Sequence, residues 1–273
     1  MKRLTPSLLL HILLLVLAVG TLAPLVWMLS ASFMATGEAN SIPPRWFPAH
    51  PTLDHYRVLF TRLDVTRYLW NSTAVALTTT FCSLLITSMA GYAFAKVRFR
   101  GRDRTFKLLL AALVVPSQVG MLPLFLLLQK LGMVNNLWGV VIPGVASIYG
   151  IFLIRQYALG VPDDLLDAAR IDGAGEFEIF WTIVLPILKP ILVTQALFTF
   201  LGSWNDFLWP LIVLSDDRRY TLPLALANLV GEHVQDTELM MAGAVITVLP
   251  VLLVFLVLQR FYIRGVLMGS LKG

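Results

Sequence analysis

A chain of 273 residues in which 58% are hydrophobic and only 14% charged is excluded from the water-soluble globules, where about a quarter of residues carry charge. Its solvent is the hydrocarbon of a bilayer, and a net charge of +5, spread mostly beside apolar runs, does not make the basic patch of a nucleic-acid interface. The single cysteine, Cys82, rules out an internal disulfide and a thiolate metal site, and His11, His50, His55 and His233 lack ligand spacing, so no metal site is expected.

Six stretches are apolar over the roughly 20 residues that a helical crossing needs, near 9–30, 69–95, 106–128, 138–159, 187–213 and 240–262. They predict an all-α, polytopic membrane protein whose 273 residues form one transmembrane domain. Lys2 and Arg3 precede the first stretch as in a signal peptide. The apolar run from Leu8 to Leu29 exceeds the ~7–15 residues of a cleavable segment, however, and reads as an uncleaved helix. The loop at 31–68 contains Pro43, Pro44, Trp46, Phe47 and Pro48, then a short helical pattern at Leu53–Phe60. Its aromatics suit interfacial anchors or a platform for an extracytoplasmic partner. Asn71-Ser72-Thr73 matches a glycosylation sequon, but at the start of a membrane helix it carries no functional expectation.

An N-inside chain puts fourteen of the twenty-one basic residues on the cytoplasmic side, the densest run extending from Lys96 to Lys107. Both termini are therefore expected in the cytoplasm. Pro24, Pro116, Pro123, Pro143, Pro210 and Pro250 each permit a kink within a span. The third span is the most interrupted, with Pro116-Ser117-Gln118 and Gly120 near its middle. Polar groups at that depth face protein or a watery path, so Ser117 and Gln118 are candidates for a translocation path or for a bond to a neighbouring helix. Trp204, Asn205 and Asp206 form a second polar candidate. Asp206 lies about 29 Å along its helix at 1.5 Å per residue, which fits either substrate contact or an outer-interface acid.

The loop from Gly160 to Pro186 reads as two short helices broken at glycine. Pro162 suits a first helical turn, Asp163 and Asp164 complement its positive end, and Asp172-Gly173 supplies a left-handed stop. Beyond Gly175, Phe177, Phe180, Trp181 and Val184 recur at helical spacing as one apolar face, and Pro186 ends the pattern. Six acids against one base, Arg170, oppose a resting place on anionic lipid and favour a groove in a basic protein partner.

These residues carry a resemblance. Asp167-Ala168-Ala169-Arg170-Ile171-Asp172-Gly173-Ala174, followed by Phe180, Ile183, Leu185 and Pro186, resembles the E-A-A-x-x-D-G-A…F-x-x-I-x-L-P loop of ABC-importer permeases, with Asp167 in place of the leading Glu. Asn71-Ser72, Gly91-Tyr92-Ala93-Phe94-Ala95, Trp204-Asn205-Asp206-Phe207 and the tail from Arg264-Gly265 to Lys272-Gly273 are similar to the carbohydrate-uptake subfamily, and within it to the second, six-helix permease of maltose-type heterodimers. The resemblance implies a type I importer permease fold in a bacterial or archaeal inner membrane. It implies that Asp167, Ala168, Ala169, Asp172, Gly173 and Ala174 couple to an ATPase dimer, and that the tail Gly269, Ser270, Leu271, Lys272 and Gly273 contacts it. A second permease and an extracytoplasmic binding protein complete the implied assembly, which imports a sugar by ATP-driven alternating access.

No G-x-x-x-x-G-K-[S/T] segment occurs in the chain, so ATP and Mg are expected on a separate subunit and no catalytic residue or cofactor on this one. The rival readings are a secondary transporter, which calls for mid-membrane ionisable residues and repeated halves, and an intramembrane enzyme, which calls for a Ser/His pair, H-E-x-x-H or paired carboxylates. Neither pattern is found in the sequence.

Overall fold

The computed structural model describes residues 6–232 and 236–270, and every regular element among them is helical. In chain order these are α1 (Pro6–Ala31), α2 (Asp54–Thr61), α3 (Val65–Lys96), α4 (Arg102–Ala112), a 3-10 turn (Ser117–Gly120), α5 (Met121–Lys130), α6 (Leu137–Gly144) and α7 (Ile148–Ala158). There follow α8 (Asp163–Ile171), α9 (Glu176–Ile179), a π turn (Phe180–Val184), α10 (Leu185–Trp204), α11 (Leu208–Val213), a 3-10 turn (Asp217–Arg219), α12 (Leu222–Glu232) and α13 (Thr237–Ser270). Among the described residues, five helical stretches are long and apolar enough to cross a membrane, and six if the pair Arg102–Ala112 and Ser117–Lys130, bent by 96°, is one broken span.

Three expected spans differ in detail. The stretch at 106–128 is broken, because Pro116 cannot donate to the turn before it and the chain turns sharply there. The stretch at 138–159 pauses between α6 and α7, where the Ser147 hydroxyl accepts from Gly150 N–H and restarts the helix. The helix expected at 187–213 begins earlier, at Glu176, and stops at Trp204. Pro186 does not break it: the proline occupies the first turn of α10 directly after the π turn, whose geometry absorbs the missing donor.

The chain divides into two compact units, Met1–Thr66 with Ala225–Pro250, and Arg67–Leu224 with Val251–Gly273. In the first, Ala31, Met34 and Ala39 are buried against Trp27 and Met241, and α2 stands where Leu53–Phe60 was expected. The loop after α1 folds back on the helix: Ser30 Oγ donates to Trp46 C=O at 2.6 Å and Trp27 Nε1 to Arg45 C=O at 3.2 Å. Glu38 ties the loop together by accepting from Ala35 N–H, Ala49 N–H and Arg45, and the Ala49 amide contributes most to holding its carboxyl below the usual range. The buried Glu238 accepts from Ala39 N–H at 2.7 Å.

Among the described residues, two cores are found in the second unit. One packs Tyr92, Ile154, Ala158, Leu166, Ile179, Phe180, Val184 and Leu188, so α3, α7, α8 and α10 share it. Gly91 lets α3 and α7 touch, since a Cβ there would lie 2.7 Å from Ile154 Cγ2 and 3.0 Å from Arg155 N. The other packs Val75, Leu128, Val140, Trp209, Val213 and Leu224. Asn71 is spoken for in this unit: its amide donates to Arg218 C=O and Tyr220 C=O, both at 3.0 Å, which accounts for a buried Asn without any sugar chain.

Candidate functional site

The loop from Gly160 to Pro186 is a braced unit. Pro162 stands just before α8, one position outside the first turn expected for it, and Asp163 and Asp164 occupy that turn. Lys96, the last residue of α3, pins the entry by donating to Val161 C=O at 2.6 Å and to Asp163 Oδ1 at 2.7 Å. That hydrogen bond holds the Asp163 carboxyl below the usual carboxylate range. Leu166 is 1% exposed and anchors α8 in the core.

Helix α8 ends in a Schellman motif. Ala174 N–H donates to Ala169 C=O at 3.0 Å and Gly173 N–H to Arg170 C=O at 3.1 Å, with Gly173 at φ +90°. An L-residue with a Cβ is strained in that backbone region, which is why glycine stands there. Arg170 then bridges the two limbs: its Nε donates to Glu176 Oε1 at 2.8 Å and its Nη1 to Asp167 Oδ1 at 2.7 Å. Tyr92 Oη, on α3, donates to the other Glu176 oxygen at 2.6 Å. A continuous polar chain therefore runs Tyr92–Glu176–Arg170–Asp167, from a membrane helix to the exposed side of α8. The Glu176 and Asp167 carboxylates, in that order, hold the guanidinium all the more firmly protonated.

Of the residues expected to couple, Asp167, Ala168, Asp172 and Gly173 are exposed together, while Ala169 and Ala174 pack half-buried beneath them. Leu165, Ile171 and Phe177 add exposed apolar side chains, Ile171 at 86%. The single apolar face expected of Phe177, Phe180, Trp181 and Val184 is divided. Phe180 and Val184 are buried, whereas Phe177 and Trp181 are exposed, because the π turn widens the helix by a residue and shifts the phase of the 3.6-residue repeat. In the tail, Gly269 and Ser270 close α13, and Leu271, Lys272 and Gly273 lie outside the described residues.

A second feature lies in the same unit. Ser117, Gln118 and Asp206 line one cleft of about 630 Å³ together with Thr79, Tyr149, Gln195 and others. Trp204 and Asn205, placed with them by sequence, are not among its described lining. Trp204 is buried and stacks on Phe200 at 5.7 Å, and the Asn205 amide turns back to Leu201 C=O. Sequence reasoning passed over Gln195 and Thr79, although a lone amide inside an apolar run and hydroxyls at 79, 83 and 87, one per helical turn, were both readable signals.

Residues 83–267 match the family described as the binding-protein-dependent transport system inner membrane component. The chain belongs to that family. It is an importer permease, and several curated permeases resemble it over nearly their whole length. The arabinooligosaccharides transport system permease protein AraQ of Halalkalibacterium halodurans is 40% identical, over 92% of this chain and 91% of its own. The lactose transport system permease protein LacG of Rhizobium radiobacter is 32% identical, over 100% and 98%. The galactooligosaccharides transport system permease protein GanQ of Bacillus subtilis is 34% identical, over 96% and 94%. A solved bacterial ABC transporter involved in the import of the acidic polysaccharide alginate contains a chain of the same fold, with TM-score 0.82 at 24% identity, covering 94% of this chain and 96% of that one. The braced loop and the cleft thus belong to a multi-pass membrane permease of a binding-protein-dependent importer.

Proposed function

We propose that this permease imports a sugar or short oligosaccharide by alternating access, as one of two permeases in the membrane, and that loop 160–186 transmits the work of a separate ATPase dimer. Three relatives whose names specify arabinooligosaccharides, lactose and galactooligosaccharides support the solute class. The observation that carries the coupling role is the polar chain from Tyr92 to Asp167: an exposed acidic surface tied by short hydrogen bonds to a membrane helix passes a push on α8 directly into α3. ATP and Mg belong to the partner subunit, the termini and this loop to the cytoplasmic side, and Gly269–Gly273 to the ATPase contact. An extracytoplasmic binding protein delivers the solute, and Ser117, Gln118 and Asp206 belong to its path. The chain itself breaks no covalent bond.

Uptake and ATPase co-purification, measured at matched membrane levels, test this. Gly173→Asp is expected to abolish uptake and weaken co-purification while membrane insertion persists. Asp167→Ala acts in the same direction, and Asp167→Glu, which keeps the charge, is tolerated. Normal uptake by both Gly173→Asp and Asp167→Ala would remove the loop from the mechanism.

A further inference from the structure

The turn between α3 and α4 carries four guanidiniums, Arg98, Arg100, Arg102 and Arg104, around a cleft of about 620 Å³ whose lining holds one carboxylate, Asp103. Asp103 is taken, since its Oδ1 accepts from Arg102 Nε at 3.1 Å. The side chains of Arg98, Arg100 and Arg104 are exposed and, among the described residues, make no hydrogen bond or ion pair. Asp163 bears on Arg98 from beyond ion-pair distance, and Lys96 already holds that carboxylate at 2.7 Å. The turn itself is braced. Gly101 reverses the chain at φ +89°, and Thr105 N–H donates to Gly101 C=O at 2.9 Å. Phe99 packs its ring 5.8 Å from Phe94, which lies 5.5 Å from Phe106 on α4. Three like charges held on a short turn repel one another, and an anion that accepts from several of them removes that cost. The planar fork of arginine fits phosphate oxygens two at a time.

The helix that follows narrows the choice of phosphate. On α4, Arg104 and Leu108 are four residues apart and share a face, about 6 Å along the axis. Leu108 is 72% exposed, and Ala111, Ala112 and Leu113 beyond it are exposed as well. An apolar strip that starts one turn beyond a cationic rim fits a molecule with phosphate at one end and hydrocarbon at the other. A soluble phosphate would use the rim alone, and a zwitterionic lipid would bring a cation that the arginines repel. We infer that this turn is a binding site for an anionic phospholipid: Arg98, Arg100 and Arg104 hold the phosphodiester of a phosphatidylglycerol-type headgroup, and an acyl chain lies along Leu108 toward Leu113. The leaflet rests on the permease reading above, which puts this turn in the cytoplasm, whereas the site itself needs only a membrane.

The test uses the assembled transporter, both permeases with the ATPase, in phosphatidylcholine vesicles containing a trace of phosphatidylglycerol with a diazirine in its acyl chain. Photolysis and peptide mapping are expected to place an adduct within residues 104–115. Unlabelled phosphatidylglycerol should compete for it, and added phosphatidylcholine should not. Each of Arg98→Gln, Arg100→Gln and Arg104→Gln is expected to lower that adduct about fivefold, and the three together more than about tenfold, as removal of arginines beside an anionic headgroup predicts. Adducts elsewhere on the chain, and complex yield at the wild-type level, serve as controls for folding. Glycerol phosphate, which has the headgroup charge without the chains, should not displace the lipid. Full displacement by it at equal concentration would assign the turn to a soluble phosphate and overturn the proposal. An equal adduct from diazirine-bearing phosphatidylcholine, or an unchanged adduct in all the arginine variants, overturns it too. So does release of the ATPase by the triple variant at wild-type permease yield, which would make the turn a protein contact. An impermeant thiol reagent that reaches Arg102→Cys in intact cells would strike the leaflet and the orientation beneath it, while the adduct still decides the site.

Discussion

Glycine 173 is the residue on which the loop's shape turns. Its φ of +90° meets no neighbouring atom of this chain that a Cβ would strike, so within the chain an alanine there is penalised by backbone strain, about 1–2 kcal/mol, and a longer side chain adds its bulk at the docked face. Gly173→Ala should therefore lower loop order modestly and uptake only partially, whereas Gly173→Asp, which tolerates the left-handed region better but projects further from the loop, abolishes uptake. That ranking, read from transport rates at equal expression, separates strain from steric exclusion. Tyr92→Phe and Glu176→Gln address the polar chain. Tyr92→Phe removes the bond to Glu176 and Glu176→Gln removes the charge that Arg170 meets, each with little change in volume. Both are expected to leave binding-protein-stimulated ATP hydrolysis running while transport per ATP falls several-fold. An unchanged ratio in both would show that the chain does not transmit force. Lys96 and Asp163 give a pH expectation. Asp163 is held below its ordinary value by the Lys96 hydrogen bond, so the contact contributes fully above about pH 4, the unfolded carboxylate range, and fades only as pH falls through the lowered value. Protease sensitivity of the loop should accordingly be flat between about pH 5 and 8, and should rise across that whole range in Asp163→Asn.

At the scale of elements, the π turn at Phe180–Val184 decides which aromatics serve the core and which remain outside. Phe180 is buried beside Tyr92, with ring centroids 5.8 Å apart, so Phe180→Ala should cost about 3–5 kcal/mol and lower the detergent unfolding temperature. Phe177→Ala, on the exposed side, should leave that temperature within a degree or two and reduce ATPase co-purification instead. The crossing of α3 and α7 supplies another element-level test. Gly91→Ala drives a methyl to 2.7 Å from Ile154 Cγ2 and to 3.0 Å from a backbone nitrogen that cannot swing aside. Overpacking of this kind costs about 1–3 kcal/mol. A lower unfolding temperature for Gly91→Ala, partly restored by adding Ile154→Ala, is the expected result.

For the whole molecule, the helices present long exposed apolar surfaces, as on α1 with Leu9, Leu13 and Leu17, which only lipid or another membrane chain covers. The orientation proposed above is tested on a Cys82→Ser background with single new thiols. An impermeant reagent in intact cells should leave Arg102→Cys and Gly175→Cys unlabelled and should label Phe47→Cys, whose parent side chain is exposed in the loop after α1. Labelling at position 102 or 175 would invert the map.

Much was legible in the sequence because it depends on local chemistry. Apolar runs announce membrane helices wherever they fall, since an unsatisfied backbone has no other refuge in hydrocarbon. The motif Asp167–Ala174 announced both the family and the left-handed turn at Gly173, because only glycine adopts that φ without strain. What sequence left undecided was which partner each polar group finds. Asp167 is an expected coupling residue, yet its partner within the chain, Arg170, appears only in the fold, and Glu176, one acid among six in the loop, accepts from Tyr92, eighty-four residues earlier. Trp204, Asn205 and Asp206 are consecutive, yet only Asp206 is among the described residues that line the cleft, which it shares with Ser117 and Gln118. Adjacent residues where a helix ends, as α10 does at Trp204, point in different directions, and residues far apart in the chain meet only when packing brings their elements together. Hydrophobic length and backbone conformation are thus determined by the sequence itself, whereas the pairing of polar groups is decided by the tertiary structure.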